Sequence, residues 1–156
     1  MITILADLPE RGEKPEMTLR MQIRFDYKGE KTGRLFGGKN TERMAEETRD
    51  HRVAMLRNVP LRGIVIEDID TSAETYTVFD DETGKEVAYA PLELVICADN
   101  IEDVLGFVMR PEFRRIRIIH PMEMVLSNKD LERMLYKVNE ELHNFTQALE
   151  KKLNNR

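Results

Sequence analysis

Residues Gly33-Arg34-Leu35-Phe36-Gly37-Gly38-Lys39-Asn40 carry the glycine spacing and the lysine of a phosphate-binding loop, in which backbone amides cradle phosphates and the lysine reaches the terminal ones. Asn40 stands where a Ser or Thr hydroxyl would hold Mg²⁺, and Thr41 comes one residue late. Ile64-Val65-Ile66-Glu67-Asp68 has the look of the acidic strand end that completes such sites. Yet eleven residues separate Tyr27, the last alternating apolar residue of the preceding strand, from Lys39, where a nucleotide fold has a tight turn. A glycine-rich surface loop is the preferred reading. Lys39, beside a helix amino end whose free N–H groups attract negative charge, remains a candidate anion-binding residue.

Two charged blocks come next. Residues 67 to 86 hold eight carboxylates against Lys85, a local charge of -7. Asp68-x-Asp70-x-Ser72 imitates the start of a calcium loop, but Ala73 occupies the position of the turn glycine and Phe79 that of the bidentate glutamate. A solvated acidic hairpin is preferred to a metal site. In the complementary block Arg110, Arg114, Arg115 and Arg117 face only Glu112, for a local charge of +3. Arg115 and Arg117 share one face of an alternating strand and, with Arg20 and Arg24 of the first strand, would form a basic sheet surface if the two strands are neighbours. Such a surface suits a nucleic-acid backbone or a phosphorylated ligand. No aromatic residues are interleaved for base stacking, and pairing of these arginines with the acidic block is preferred. His51 on the stripe of a helix and Cys97 at the end of an apolar strand are weaker candidates for general-base and thiol chemistry, with core packing the commoner role of each. No His, Cys or carboxylate set has metal-ligand spacing, and no nucleophile elbow is present, so no metal, cofactor or catalytic residue is expected.

The elements that would position these residues follow from hydrophobic period. Leu19, Met21, Ile23, Phe25 and Tyr27 alternate with polar residues as a half-buried strand. Asn40 or Thr41 caps a helix to about Arg57, with a thin stripe of Met44, Thr48, His51 and Met55 flanked by Ala45 and Leu56. Leu61 to Asp70, with Ile64, Val65 and Ile66 continuous, suits a central strand covered on both faces. Thr75 to Phe79 and Lys85 to Tyr89 form a hairpin closed at Gly84, Pro91 interrupts, and Leu92 to Cys97 continues as a further strand. A short helix, Ile101 to Met109, then leads to the strand Phe113 to Ile119, a crossover expected to be right-handed if the strands it joins are parallel neighbours.

Ser127 with Asp130 opens the last helix as a capping pair. In it Leu131, Leu135, Val138, Leu142, Phe145 and Leu149 are spaced 4, 3, 4, 3, 4, a heptad seam. The seam either packs on the chain's own sheet or pairs with a second copy. A helix of this length spans about 39 Å, more than the ~30 Å diameter of a small domain.

The remaining bounds come from composition. The chain has 156 residues, 41% hydrophobic and 34% charged, with net charge -5. That suits one domain over residues 1–121 and a helix over 122–156 that packs on the domain or on a second subunit. A lone Cys97 excludes a disulfide-stapled scaffold and fits a cytoplasmic compartment. No run approaches the ~18 apolar residues of a membrane span, so no membrane partner is expected, and residues 1 to 8 lack the basic start of a signal peptide. The expected fold is α+β: a mainly antiparallel sheet with helices on one face, ferredoxin-like in its nearest named arrangement, and a long C-terminal amphipathic helix. The leading expectation is a non-enzymatic homodimer or assembly subunit that associates through the heptad helix. The alternative is a binding module for a phosphorylated ligand or nucleic acid built on Lys39 and the Arg110–Arg117 segment.

Overall fold

Alternation between Leu19 and Lys28 produces β1 (Leu19–Lys28), whose odd-numbered residues all face the helices of a sheet that encloses the core. The computed structural model describes residues 18–29 and 40–155. In chain order the remaining elements are α1 (Thr41–Asn58), β2 (Ile64–Asp70), β3 (Tyr76–Asp80), β4 (Lys85–Ala98), α2 (Ile101–Val108), β5 (Phe113–His120) and α3 (Asn128–Asn154). The sheet is antiparallel in the order β2-β4-β1-β5, with β3 extending beside the first half of β4. The α+β expectation therefore holds. With β3 set aside, α1 and α2 each join two strands that flank a third, β4 for the first pair and β1 for the second. That interleaving of two split strand-helix-strand units is the ferredoxin-like arrangement.

Two expectations are corrected, and one condition is not met. The Leu61 to Asp70 run is not a central strand. β2 lies at an edge with Val65, Glu67, Asp68 and Asp70 exposed, because continuous β-branched residues mark extended backbone without saying how many faces are covered. Pro91 does not divide two strands. β4 runs unbroken through it, pairing Pro91 with Asp26, and the proline falls at the point where β4 changes partner, after β3 at Tyr89 and before β2 at Glu93. A residue without an N–H is least costly where no ladder bond is asked of it on that side. The strands flanking α2 are likewise not neighbours, since β1 lies between β4 and β5.

α1 begins where expected, with the Asn40 carboxamide accepting from Arg43 N–H. Its buried face is Ala45, Val53 and Leu56 rather than the stripe through Met44, His51 and Met55, and His51 is exposed. Ala45 meets Ala88 and Ala90 of β4, so that small side chains bring helix and sheet close. Gly29 fixes the same approach, because a Cβ there would lie 2.5 Å from the Thr41 carbonyl. Gly84 closes the β3–β4 turn at φ +67°, while the Asp80 carboxylate accepts from Glu82 N–H. The main core joins Leu19, Met21, Ile23 and Phe25 to Leu92, Leu94 and Ile96 under α1 and α2, with Phe107 edge-on to Phe25 at 5.6 Å.

Candidate functional site

Chemistry-bearing side chains come together on two surfaces and in a pocket on the helix side of the sheet. The first surface is the sheet face opposite the helices. β1 and β5 are neighbours, the condition for a basic sheet surface, and Gln22 stands opposite Arg117 and Arg24 opposite Arg115. Like charges set opposite each other cost stability unless neutralised. Here they are: Arg24 donates to Asp26 at 2.8 Å, Arg115 to Glu93 at 2.6 Å, and Arg20 to Glu67 at 2.7 Å. Arg117 donates to the Gln22 side-chain oxygen at 2.9 Å. The partners are thus mainly strand carboxylates, with Glu67 the one drawn from the acidic block. Four arginines (Arg20, Arg24, Arg114, Arg115) meet Asp26, Glu67 and Glu93, Arg117 meets Gln22, and the register adds Asp68 and Asp70 of β2 to the same face opposite Val95 and Glu93, so five arginines stand with five carboxylates.

Asp26 is the buried centre of this face, 3% exposed. It receives Arg24, the Tyr76 hydroxyl at 2.5 Å and, at 3.6 Å, the Arg114 guanidinium, which also lies 5.5 Å from the Tyr89 ring centre. Tyr76 stacks on Tyr89, and burial followed by the Asp26 charge raises its hydroxyl above the ordinary tyrosine range. This network ties β3 to β1 across β4, and nothing in the alternating polar face of β1 singles out Asp26 from sequence alone.

Cys97 lies on the same face, partly exposed, and donates to the Glu67 carboxylate at 2.8 Å. That hydrogen bond, then burial and the Glu67 charge, raises the thiol above its ordinary value, while Glu67 is correspondingly lowered. A thiol held protonated by a carboxylate is a poor nucleophile. Lys39 lies outside the described residues, as does the loop before Asn40. Asp70 caps Ser72 N–H, forming a local turn. Among the described residues no group of three or more His, Cys, Asp or Glu is placed to hold a metal ion, and no helix is long and apolar enough to cross a membrane.

The second surface is the heptad seam. α3 starts in a capping box of Ser127 and Asp130 and docks on α2. The docking side is polar: Arg133 pairs with Glu102 at 3.0 Å, and Lys137 and Glu141 pass Gly106. Its least exposed residues are Asp130, Met134, Lys137 and Glu141, one helical stripe. The seam turns elsewhere. No residue of α3 is buried, Leu135 is 70% exposed and Leu142 56%, and Leu131, Val138, Phe145 and Leu149 are exposed as well. The seam does not pack on the chain's own sheet. Ile116 and Ile118 of β5, with Met122 and Val125 beyond it, add further exposed apolar side chains.

The pocket is small, about 230 Å³, and lies on the helix side where β1 ends, between α1 and the segment joining α2 to β5. Tyr27, Thr48, His51, Arg52, Arg110 and Glu112 line it. Helical spacing brings Thr48, His51 and Arg52 onto one side of α1, which the expected apolar stripe anticipated only for the first two. No family model, curated protein or solved structure matches the chain.

Proposed function

We propose that this protein acts by association with a second copy of itself through the α3 seam, as a homodimer or as the repeating contact of a larger assembly. The observation that carries this reading is the outward heptad seam. α3 uses its polar stripe to dock on α2 and leaves Leu131, Leu135, Val138, Leu142, Phe145 and Leu149 exposed. A 3.5-residue period is matched by another helix of the same period, whose side chains fill the gaps between these, rather than by a flat sheet. The flanks also tolerate a copy. In a parallel pair Ala148 would face Leu153, while Met134 and Glu141 stay on the side that docks on α2 opposite the uncharged Asn139 and Thr146, so no like charges are opposed. The single cysteine, kept as a thiol by Glu67, accords with the reducing cytoplasm as the site of action. Sedimentation of the full chain and of its Leu135→Glu, Leu142→Glu variant tests the reading. The parent chain is expected at twice its 18.2 kDa mass or more and the variant at 18.2 kDa; two monomers would remove the proposal.

A second reading is favoured by the adjacency of β1 and β5. Arg117, bound only to the neutral Gln22, and Arg115 beside it on the open sheet face suit a polyanion such as a nucleic-acid backbone. It requires binding that weakens steeply with salt and with the Arg115→Ala, Arg117→Ala pair, and indifference to both excludes it.

A further inference from the structure

From the convergence of Arg52, Arg110 and the Tyr27 hydroxyl on one small pocket, we infer a binding site for the phosphoryl group of a small ligand, on the opposite face of the sheet from Arg115 and Arg117. The case begins with charge. On the open face Arg20, Arg24 and Arg115 are each matched by a carboxylate within 3 Å. In the pocket two guanidinium groups share one lining carboxylate, Glu112. Arg110 is lowered from the usual arginine range first by burial and next by the repulsion of Arg52, ahead of the weaker pull of Tyr27, Glu112 and, from α3, Glu141. An anion between the two guanidinium groups relieves that repulsion.

Donor geometry and size narrow the ligand. Tyr27 is 5% exposed, and burial raises its hydroxyl above the ordinary tyrosine range against the opposing pull of the Arg52 charge, so it stays an O–H donor. Arg110 is anchored by donation from Nε to the Phe107 carbonyl at 3.3 Å, which leaves its terminal nitrogens free to turn toward a ligand. Two guanidinium forks with the Tyr27 hydroxyl supply more donors than one carboxylate has acceptor sites, the Thr48 hydroxyl being committed to the Met44 carbonyl at 2.9 Å, and they suit the three terminal oxygens of a phosphoryl group. A volume of about 230 Å³ admits that group with room beside it and lies below the several hundred Å³ of sites that enclose a whole cofactor. The rest of any ester would extend into solvent past His51 at the pocket's exposed rim.

Calorimetric titration of the full chain with inorganic phosphate and, separately, with phenyl phosphate tests the inference, with chloride held constant. Saturable binding at one site per chain is expected. Arg52→Gln and Arg110→Gln are each expected to weaken it about tenfold, the loss of one charge-assisted hydrogen bond, while Arg115→Gln leaves it unchanged. Tighter binding of phenyl phosphate assigns a monoester as the ligand, and equal or weaker binding assigns the free ion. If Arg110→Gln fails to fold by circular dichroism, Arg52→Gln on the surface of α1 and Tyr27→Phe, which keeps the buried ring, decide the matter. Absence of saturation by either ligand, or losses no greater than that of Arg115→Gln, overturns the inference.

Discussion

β1 and β5 lie side by side, carry the same alternation of apolar and polar residues, and turn their apolar sides to the same face of the sheet. Ile23 is directly opposite Ile116, and Met21 opposite Ile118. Their fates differ. Ile23 and Met21 are 0% exposed, whereas Ile116 and Ile118 are 40% and 45% exposed. The same contrast separates the helices: α1 buries Ala45, Val53 and Leu56, while α3, with a cleaner apolar stripe, buries nothing. Period determines that a face is apolar and does not determine what covers it. Cover comes from where the chain places its next layer. α1 and α2 lie over β4 and β1, and α3 meets α2 through charged residues.

The contrast can be broken at its two ends. Ile23→Ala should cost about 2–5 kcal/mol in urea unfolding, as for a close-packed core isoleucine, and Ile116→Ala under about 1 kcal/mol when the chain is dilute. Equal costs would mean that β5 is covered within the single chain. Next in size is the buried centre of the open face. Asp26→Ala strands Arg24, Arg114 and the Tyr76 hydroxyl and should cost about 2 kcal/mol, with Tyr76→Phe nearer 1 kcal/mol. Ser127→Ala removes the α3 cap, worth about 1 kcal/mol to that helix. Since α3 contributes no buried residue, amide exchange should quicken in its first turn and stay unchanged in β1 and β4. The smallest effect is chemical. Because the Glu67 carboxylate, with burial, raises Cys97 above the ordinary thiol range, its alkylation rate should level off only at a higher pH than that of a free cysteine, and Glu67→Gln should move that plateau to lower pH. An unchanged profile would mean that the thiol does not feel the carboxylate.

Much of the fold was legible because β1, the β3–β4 hairpin and α3 state their periods plainly, and Asn40, Gly84 and the Ser127/Asp130 box mark their boundaries. Burial was less so. β2 reads as a core strand and is an edge, and His51 reads as part of a core stripe and faces solvent. Both errors come from treating local apolar density as cover, which is a property of tertiary placement. The basic sheet face depended on one fact absent from the sequence, the adjacency of β1 and β5. The Asp26 network and the Arg52/Arg110 pocket unite residues 50 or more positions apart, and no local spacing announces them.

The central claim is that the α3 seam is covered by another copy of the chain. It is tested most directly by isotope-filtered nuclear Overhauser measurements on an equal mixture of labelled and unlabelled protein. Contacts between the methyl groups of Leu135, Leu142 and Leu149 in one chain and the seam of another are predicted. Seam methyl groups with contacts only inside their own chain, at concentrations where the protein remains folded, would contradict the account.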